Sequence, residues 1–249
     1  MEHGVWIVAH RGASAYAPEN TLNAFHLAWQ MDADAIEGDF RLTADGQIVC
    51  IHDASTQRLA AENLPIETTN YARLRDVNIG HSFQGDSSAA HIPLLSEVLE
   101  TVPSGKKFFI ELKSGPRIVA PLIDALNASQ LAAEQIILIT FNADVLEAIQ
   151  QVAPHYPTGL IVKFHTSLNG QLVPNLETTL GKAQQLGCSH LHVGAEPWLP
   201  HDLGVRTKAH GLQLHAWTVD TAELCHAMRQ LGVQSITTNK PDAIRAAIQ

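Results

Sequence analysis

Residues Ile7–Phe25 read IVAHRGASAYAPENTLNAF. An apolar run breaks at His10-Arg11, Gly12 follows at once, and Pro18-Glu19-Asn20-Thr21 opens an amphipathic segment. This is a strand that passes through small residues into a helix, with a histidine and an arginine at the strand's C-terminal end. The same alternation runs on to the end of the chain. Strand-like runs are WIVA (6–9), AIEGDF (35–40) with QIVCIH (47–52), KFFIEL (107–112), QIILITF (135–141), TGLIVK (158–163), SHLHVG (189–194), LQLHAWTV (212–219) and SITTN (235–239). Amphipathic helical patterns such as LLSEVLETV (94–102) and TAELCHAMRQLG (221–232) lie between them. If QIVCIH extends the second strand as a hairpin across Asp45-Gly46, eight strands each precede one helix. Strands alternating with helices call for a parallel sheet, and eight such units in 249 residues predict a closed (β/α)8 TIM barrel. No GxGxxG follows the first strand, which argues against an open dinucleotide-binding sheet. The stretch from Asp53 to Ile92 is polar and irregular, and is expected to be a small insertion after the second strand module. The remaining residues of 1–249 would form a single barrel domain around it.

Composition narrows the function. With 45% hydrophobic and 16% charged residues the chain has ample material for a core, and its formal charge of −9, with no basic run, argues against a nucleic-acid binder. Cys50, Cys188 and Cys225 are odd in number and widely spaced, so they form neither a disulfide framework nor a zinc pattern. Buried free thiols in a reducing compartment are expected. The apolar run near the N-terminus is too short for a signal peptide or a membrane span, which predicts a cytoplasmic protein.

Ionisable residues interrupt three of the first strands. Glu37 and Asp39 are two apart in IEGDF and so share one strand face, as do Glu111 and Lys113 in FFIELK. IVCIHD ends in His52. Strands of a parallel barrel are normally apolar, and charges placed in them carry a desolvation cost. Each residue alone fits a structural ion pair or a satisfied core histidine. Together they put three carboxylates, two histidines and two cations at C-terminal strand ends, where barrel enzymes keep their chemistry. Three carboxylates make a hard oxygen site suited to one Mg²⁺ or Ca²⁺ ion and not to zinc. The ion leaves one net negative charge on that set, and Arg11 with Lys113 turns the pocket positive. A phosphodiester anion would be attracted there, and two imidazoles could exchange protons with it.

The motifs HRGAS…PENT, IEGDF, TADG…IVCIHD, IPLLSEVL, FFIELK, AWTVD and GVQSITTNKPDAI closely resemble the glycerophosphodiester phosphodiesterase family, in family order from about residue 7 to 244. The likeness is to its short, soluble, bacterial cytosolic members. The resemblance implies a (β/α)8 barrel and metal ligation by Glu37, Asp39 and Glu111. It implies His10 and His52 as the acid–base pair, Arg11 and Lys113 on phosphate, and Trp217 on the glycerol side. The implied reaction is metal-dependent hydrolysis of a small glycerophosphodiester to sn-glycerol 3-phosphate and an alcohol. The sequence leaves the oligomeric state, monomer or homodimer, open. Two stretches depart from the family pattern: Asn239, where members usually carry an acid, and ASTQRLAAENL (54–64). Glu19 is expected to serve the helix start beside Pro18, with Asn20 or Thr21 as the cap. A phospholipase D-like toxin would be secreted and disulfide-bonded. A binding-only barrel would not need two histidines beside a metal and two cations.

Overall fold

The computed structural model describes residues 4–83 and 89–248. Its strands are β1 (Trp6–His10), β2 (Ala35–Leu42), β3 (Ile48–Cys50), β4 (Lys107–Leu112), β5 (Ile136–Thr140), β6 (Thr158–Val162), β7 (His165–Thr166), β8 (Leu172–Val173), β9 (His190–Gly194), β10 (Gln213–Trp217) and β11 (Ser235–Thr238). Its helices are α1 (Leu22–Gln30), α2 (Tyr71–Leu74), α3 (Leu95–Glu100), α4 (Val119–Ala128), α5 (Ala143–Val152), α6 (Leu176–Gln185), α7 (Leu203–Ala209), α8 (Ala222–Gln230) and α9 (Pro241–Ile248). Parallel pairing runs β1-β11-β10-β9-β6-β5-β4-β2, and β2 pairs again with β1 through Val8↔Ala35, Ala9↔Ile36 and His10↔Glu37. The sheet therefore closes, as the alternation of the sequence predicts, into an eight-stranded parallel barrel with helices between the strands. The β3 strand folds back antiparallel on β2, where Gly46 takes φ +80° at the turn. The short β7–β8 hairpin stands apart from the barrel.

Strand periodicity sorts the barrel's side chains into two sets. Ile36, Phe40, Phe108, Ile110 and Leu112 point outward and pack under the helices. Their strand neighbours Ala35 and Phe109 join Val8, Ile137, Ile139 and Ile161 in an inner cluster. By the same parity His10, Glu37, Asp39, Glu111, His192, His215 and Trp217 face inward, so the apolar cluster plugs one end while ionisable groups gather toward the other. Across the barrel the lining turns polar. His190 Nδ1 lies 2.8 Å from His215 Nε2, His215 Nδ1 lies 2.7 Å from Ser235 Oγ, and the His192 ring stacks on His215 at 4.4 Å.

Between β3 and α3 the chain leaves the barrel. Leu59, Ile66, Leu74, Val77, Ile79, Ala90 and Ile92 pack a small cluster of their own against Val49 and Ile51 of the β3 hairpin. Residues 84–88 of this excursion lie outside the described set.

Candidate active site

The acids come from adjacent strands in register. Asp39 of β2 sits beside Glu111 of β4, and Glu37 sits beside His10 of β1. All three carboxylates are buried, and each offers an oxygen within 4.8 Å of the others. Such crowding prevents them from all ionising on their own. Burial, with the charges of Asp39 and Glu111, pushes the Glu37 carboxyl well above the carboxylate range. Burial and Asp39 push Glu111 up to about 7. Burial works against ionised Asp39 too, but Lys113 and Arg11 outweigh it and hold that acid at about 2.

Two polar clamps fix Asp39. Asn20 donates from Nδ2 to Asp39 Oδ2 at 2.9 Å and accepts the Asp39 backbone N–H at 3.1 Å. Arg11 Nε lies 3.1 Å from Asp39 Oδ2, and Lys113 Nζ lies 3.1 Å from Asp39 Oδ1 while also contacting the Glu111 carboxylate. Arg11 reaches this position because the chain turns sharply after β1. Its φ of +54° lets its backbone N–H donate to Glu37 Oε2 at 3.0 Å. Gly12 follows at φ +80°, where an added Cβ would sit 2.5 Å from the Ala24 carbonyl carbon, so only glycine lets α1 pack this close. Thr21 caps α1 by accepting from Ala24 N–H. Glu19 takes no part in that cap, contrary to the helix-start expectation. Its carboxylate accepts from Arg11 at 2.8 Å and from Arg58 at 2.7 and 2.9 Å, charge-assisted bonds that a helix end does not match.

The two histidines come from separate elements. His10 ends β1, with Nδ1 2.7 Å from Asn239 Oδ1; burial and the nearby Arg11 charge lower its pKa to about 4. His52 follows β3, with Nδ1 2.7 Å from Asp53 Oδ1, while Arg58 donates to the other Asp53 oxygen at 2.6 Å. Arg58 and Asp53 therefore tie His52 to Glu19 and, through it, to Arg11. They lie in or beside the segment read as a departure from the family pattern.

His10, Arg11, Glu37, His52, Glu111, Lys113 and Trp217 line one pocket, and Asp39 adjoins it through its contacts with Arg11 and Lys113. Every residue singled out from the sequence is thus at this site. One wall is apolar, made by Ile139, Ile161 and Phe141, with the Phe141 ring edge-on to Trp217 at 5.9 Å. Sequence reasoning missed this wall, and also His192, which lines the pocket from β9. The inward parity of HLHVG could have indicated His192; nothing local marks Asn20, Asp53 or Arg58 as the supports of Asp39, His52 and Glu19.

The donor set fits a hard divalent cation. Three carboxylate oxygens at this spacing can surround an ion whose oxygen contacts run about 2.0–2.6 Å. Among the described residues, the buried Glu37 Oε1 has no hydrogen-bond partner, as a ligand oxygen facing a cation would. The Trp217 indole N–H is likewise buried without a partner and is a donor for a bound oxygen.

Comparison with known proteins places the chain among phosphodiesterases. The family model of the Glycerophosphoryl diester phosphodiesterase family matches residues 10–243. A glycerophosphodiester phosphodiesterase of Caldanaerobacter subterraneus subsp. tengcongensis is 31% identical over 251 residues, covering 96% of this chain and 95% of the relative. A Mycobacterium tuberculosis relative is 30% identical, covering 98% of this chain and 92% of its own length. A solved Oleispira antarctica phosphodiesterase, in complex with the product sn-glycerol-3-phosphate, superposes with a TM-score of 0.84 at 25% identity, covering 98% and 96% of the two chains.

Proposed function

The chain belongs to the glycerophosphoryl diester phosphodiesterase family, and from that premise we propose that it hydrolyses glycerophosphodiesters to sn-glycerol 3-phosphate and an alcohol with the help of one bound divalent cation. One observation carries the reading: three carboxylates, two cationic side chains and two histidines from separate elements converge on a single pocket. The product complex of the Oleispira antarctica neighbour supports the same substrate class.

Glu37, Asp39 and Glu111 would hold Mg²⁺ or Ca²⁺, both of which prefer oxygen donors. Such an ion offsets negative charge on the phosphoryl oxygens. With it, the three carboxylates keep one net negative charge, and Arg11 and Lys113 bring the pocket to one net positive. That matches a monoanionic phosphodiester. Arg11 and Lys113 already lie beside Asp39, so they grip phosphate next to the acids. Trp217, with its free indole N–H, and the Phe141 wall receive the glycerol side.

His10 and His52 serve as the acid–base pair. One takes the proton of the glycerol 2-hydroxyl as that oxygen attacks phosphorus, and the other gives a proton to the departing alcohol oxygen. Water then adds to the cyclic phosphate, one P–O bond opens, and glycerol 3-phosphate results. The three cysteines are free and buried, which supports a cytoplasmic setting. Among the described residues no helix is long and apolar enough to cross a membrane. The excursion that begins at Asp53 belongs with the barrel as one catalytic domain.

The test is release of glycerol 3-phosphate from glycerophosphocholine, with and without chelator and with Mg²⁺ or Ca²⁺ restored. Turnover that chelation abolishes and cation restores is expected. Absence of such turnover on every glycerophosphodiester would leave a phosphate-binding barrel instead.

A further inference from the structure

Asp220, at the end of AWTVD, and Asn239, after β11, lie outside the roles assigned so far, yet they connect directly to His10. Asp220 Oδ1 accepts from the Thr238 hydroxyl at 2.9 Å and from the Asn239 backbone N–H at 2.8 Å. Asp220 Oδ2 accepts from Asn239 Nδ2 at 2.5 Å. Asn239 Oδ1 then faces His10 Nδ1 at 2.7 Å and also meets the Ser14 hydroxyl at 2.8 Å.

Donor and acceptor capacity orders this chain in one direction. A carboxylate only accepts, so the NH₂ of Asn239 must turn toward Asp220. Its carbonyl oxygen must then turn toward His10. That oxygen cannot donate, so His10 Nδ1 must carry the proton. In neutral imidazole the remaining nitrogen, Nε2, is left with a bare lone pair. His10 lines the pocket, and Nε2 is the ring nitrogen not engaged by Asn239.

We propose that Asn239 and Asp220 are positioning residues: Asp220 orients the Asn239 amide, and the amide holds His10 in the Nδ1–H tautomer with its Nε2 lone pair available to the substrate hydroxyl. The proposal rests on the phosphodiesterase reading and deepens it by making His10 the proton acceptor. His52 is supported differently, by a carboxylate, Asp53, at 2.7 Å. With His10 as the acceptor, His52 is left as the group of the pair that supplies a proton to the leaving alcohol. Neither Asn239 nor Asp220 touches the reacting atoms.

The test compares wild type, Asn239→Leu and the exchange Asn239→Asp/Asp220→Asn, all with saturating cation. Asn239→Leu is expected to lower kcat roughly 10²-fold with KM changed less than about threefold. The exchange keeps every donor facing an acceptor, with the carboxylate now beside His10 and the amide behind it, and is expected to recover kcat to within about tenfold of wild type. A long-range ¹⁵N–¹H spectrum of the histidine rings reads the tautomer without any turnover. His10 of the wild type is expected to carry its proton on Nδ1, and of Asn239→Leu to shift toward Nε2. Unchanged kcat in Asn239→Leu, an exchange variant no better than Asn239→Leu, or a wild-type proton on Nε2 each overturns the relay. If wild type releases no glycerol 3-phosphate, the substrate reading fails, and the spectrum alone decides whether the relay stands.

Discussion

Replacing Glu37 with Gln separates what the acid does without the cation from what it does with it. Two full charges within 4.8 Å of one another repel by at least about 3 kcal/mol at an effective dielectric constant near 20. Glu37 faces two such neighbours while buried, which pushes its carboxyl well above the carboxylate range and favours the protonated form when no cation is bound. Gln is a neutral isostere of that form, so the cation-free variant should melt within about 2 °C of wild type. With a cation present the variant lacks an anionic ligand. Loss of a supporting partner alone weakens metal sites about 10–100-fold, so loss of the ligand itself should cost at least about 10²-fold, or about 2.7 kcal/mol. At a cation concentration about 1,000 times the wild-type Kd, wild type gains about 4 kcal/mol and the variant about 1.4 kcal/mol. For a chain of this size the cation-induced rise in Tm should then be smaller by about 5–11 °C. pH supplies a second sign. Binding must expel the Glu37 proton, and below about 7 that of Glu111 also, so wild-type affinity falls as pH falls, and the Gln variant loses part of this dependence. Scanning calorimetry with and without cation, and titration calorimetry in buffers of different ionisation enthalpy, measure both effects. A variant with the wild-type cation shift, or a cation-free variant destabilised by many degrees, refutes the reasoning and makes Glu37 a structural acid.

Three other outcomes follow from the same geometry. His10→Ala and His52→Ala should each lower kcat by roughly 10²–10⁴ with little change in Tm; matching losses of activity and stability in either variant would mark that histidine as a packing residue. His190, His192 and His215 are buried, and burial holds all three pKa values down, that of His190 at about 4. Their folded forms stay neutral while the unfolded chain protonates near 6.5, so stability is complete above that pH and is lost as pH falls toward 4. His190 alone accounts for roughly 3 kcal/mol by pH 4. Urea melts across pH 4–7.5 measure this, and equal stability at pH 7 and pH 5 would contradict it. Gly12→Ala forces a Cβ to 2.5 Å from the Ala24 backbone at φ +80°, and should cost about 3 kcal/mol or more. Its Tm should drop by about 6–12 °C; an unchanged melt would mean that the turn after β1 yields more easily than the packing implies.

The sequence by itself determined the barrel and singled out the candidate site groups, because both rest on short-range rules. Alternating strand and helix patterns specify the parallel barrel. Two-residue spacing puts Glu37 with Asp39 on one face, and charges within apolar strands stand out through their desolvation cost. Tertiary structure decided how those groups are held and protonated. Asn239 is 229 positions from His10 and becomes its partner only because β11 closes the barrel against β1. Asn20 looks like a possible helix cap until α1 seats against β2 and turns it onto Asp39. Arg58, in a stretch that follows no motif, reaches Glu19 only when the excursion folds back over the mouth. Hydrogen-bond partners and burial depend on which distant segments closure brings within about 3 Å, and pKa values depend on them in turn. Local spacing carries no record of that distance.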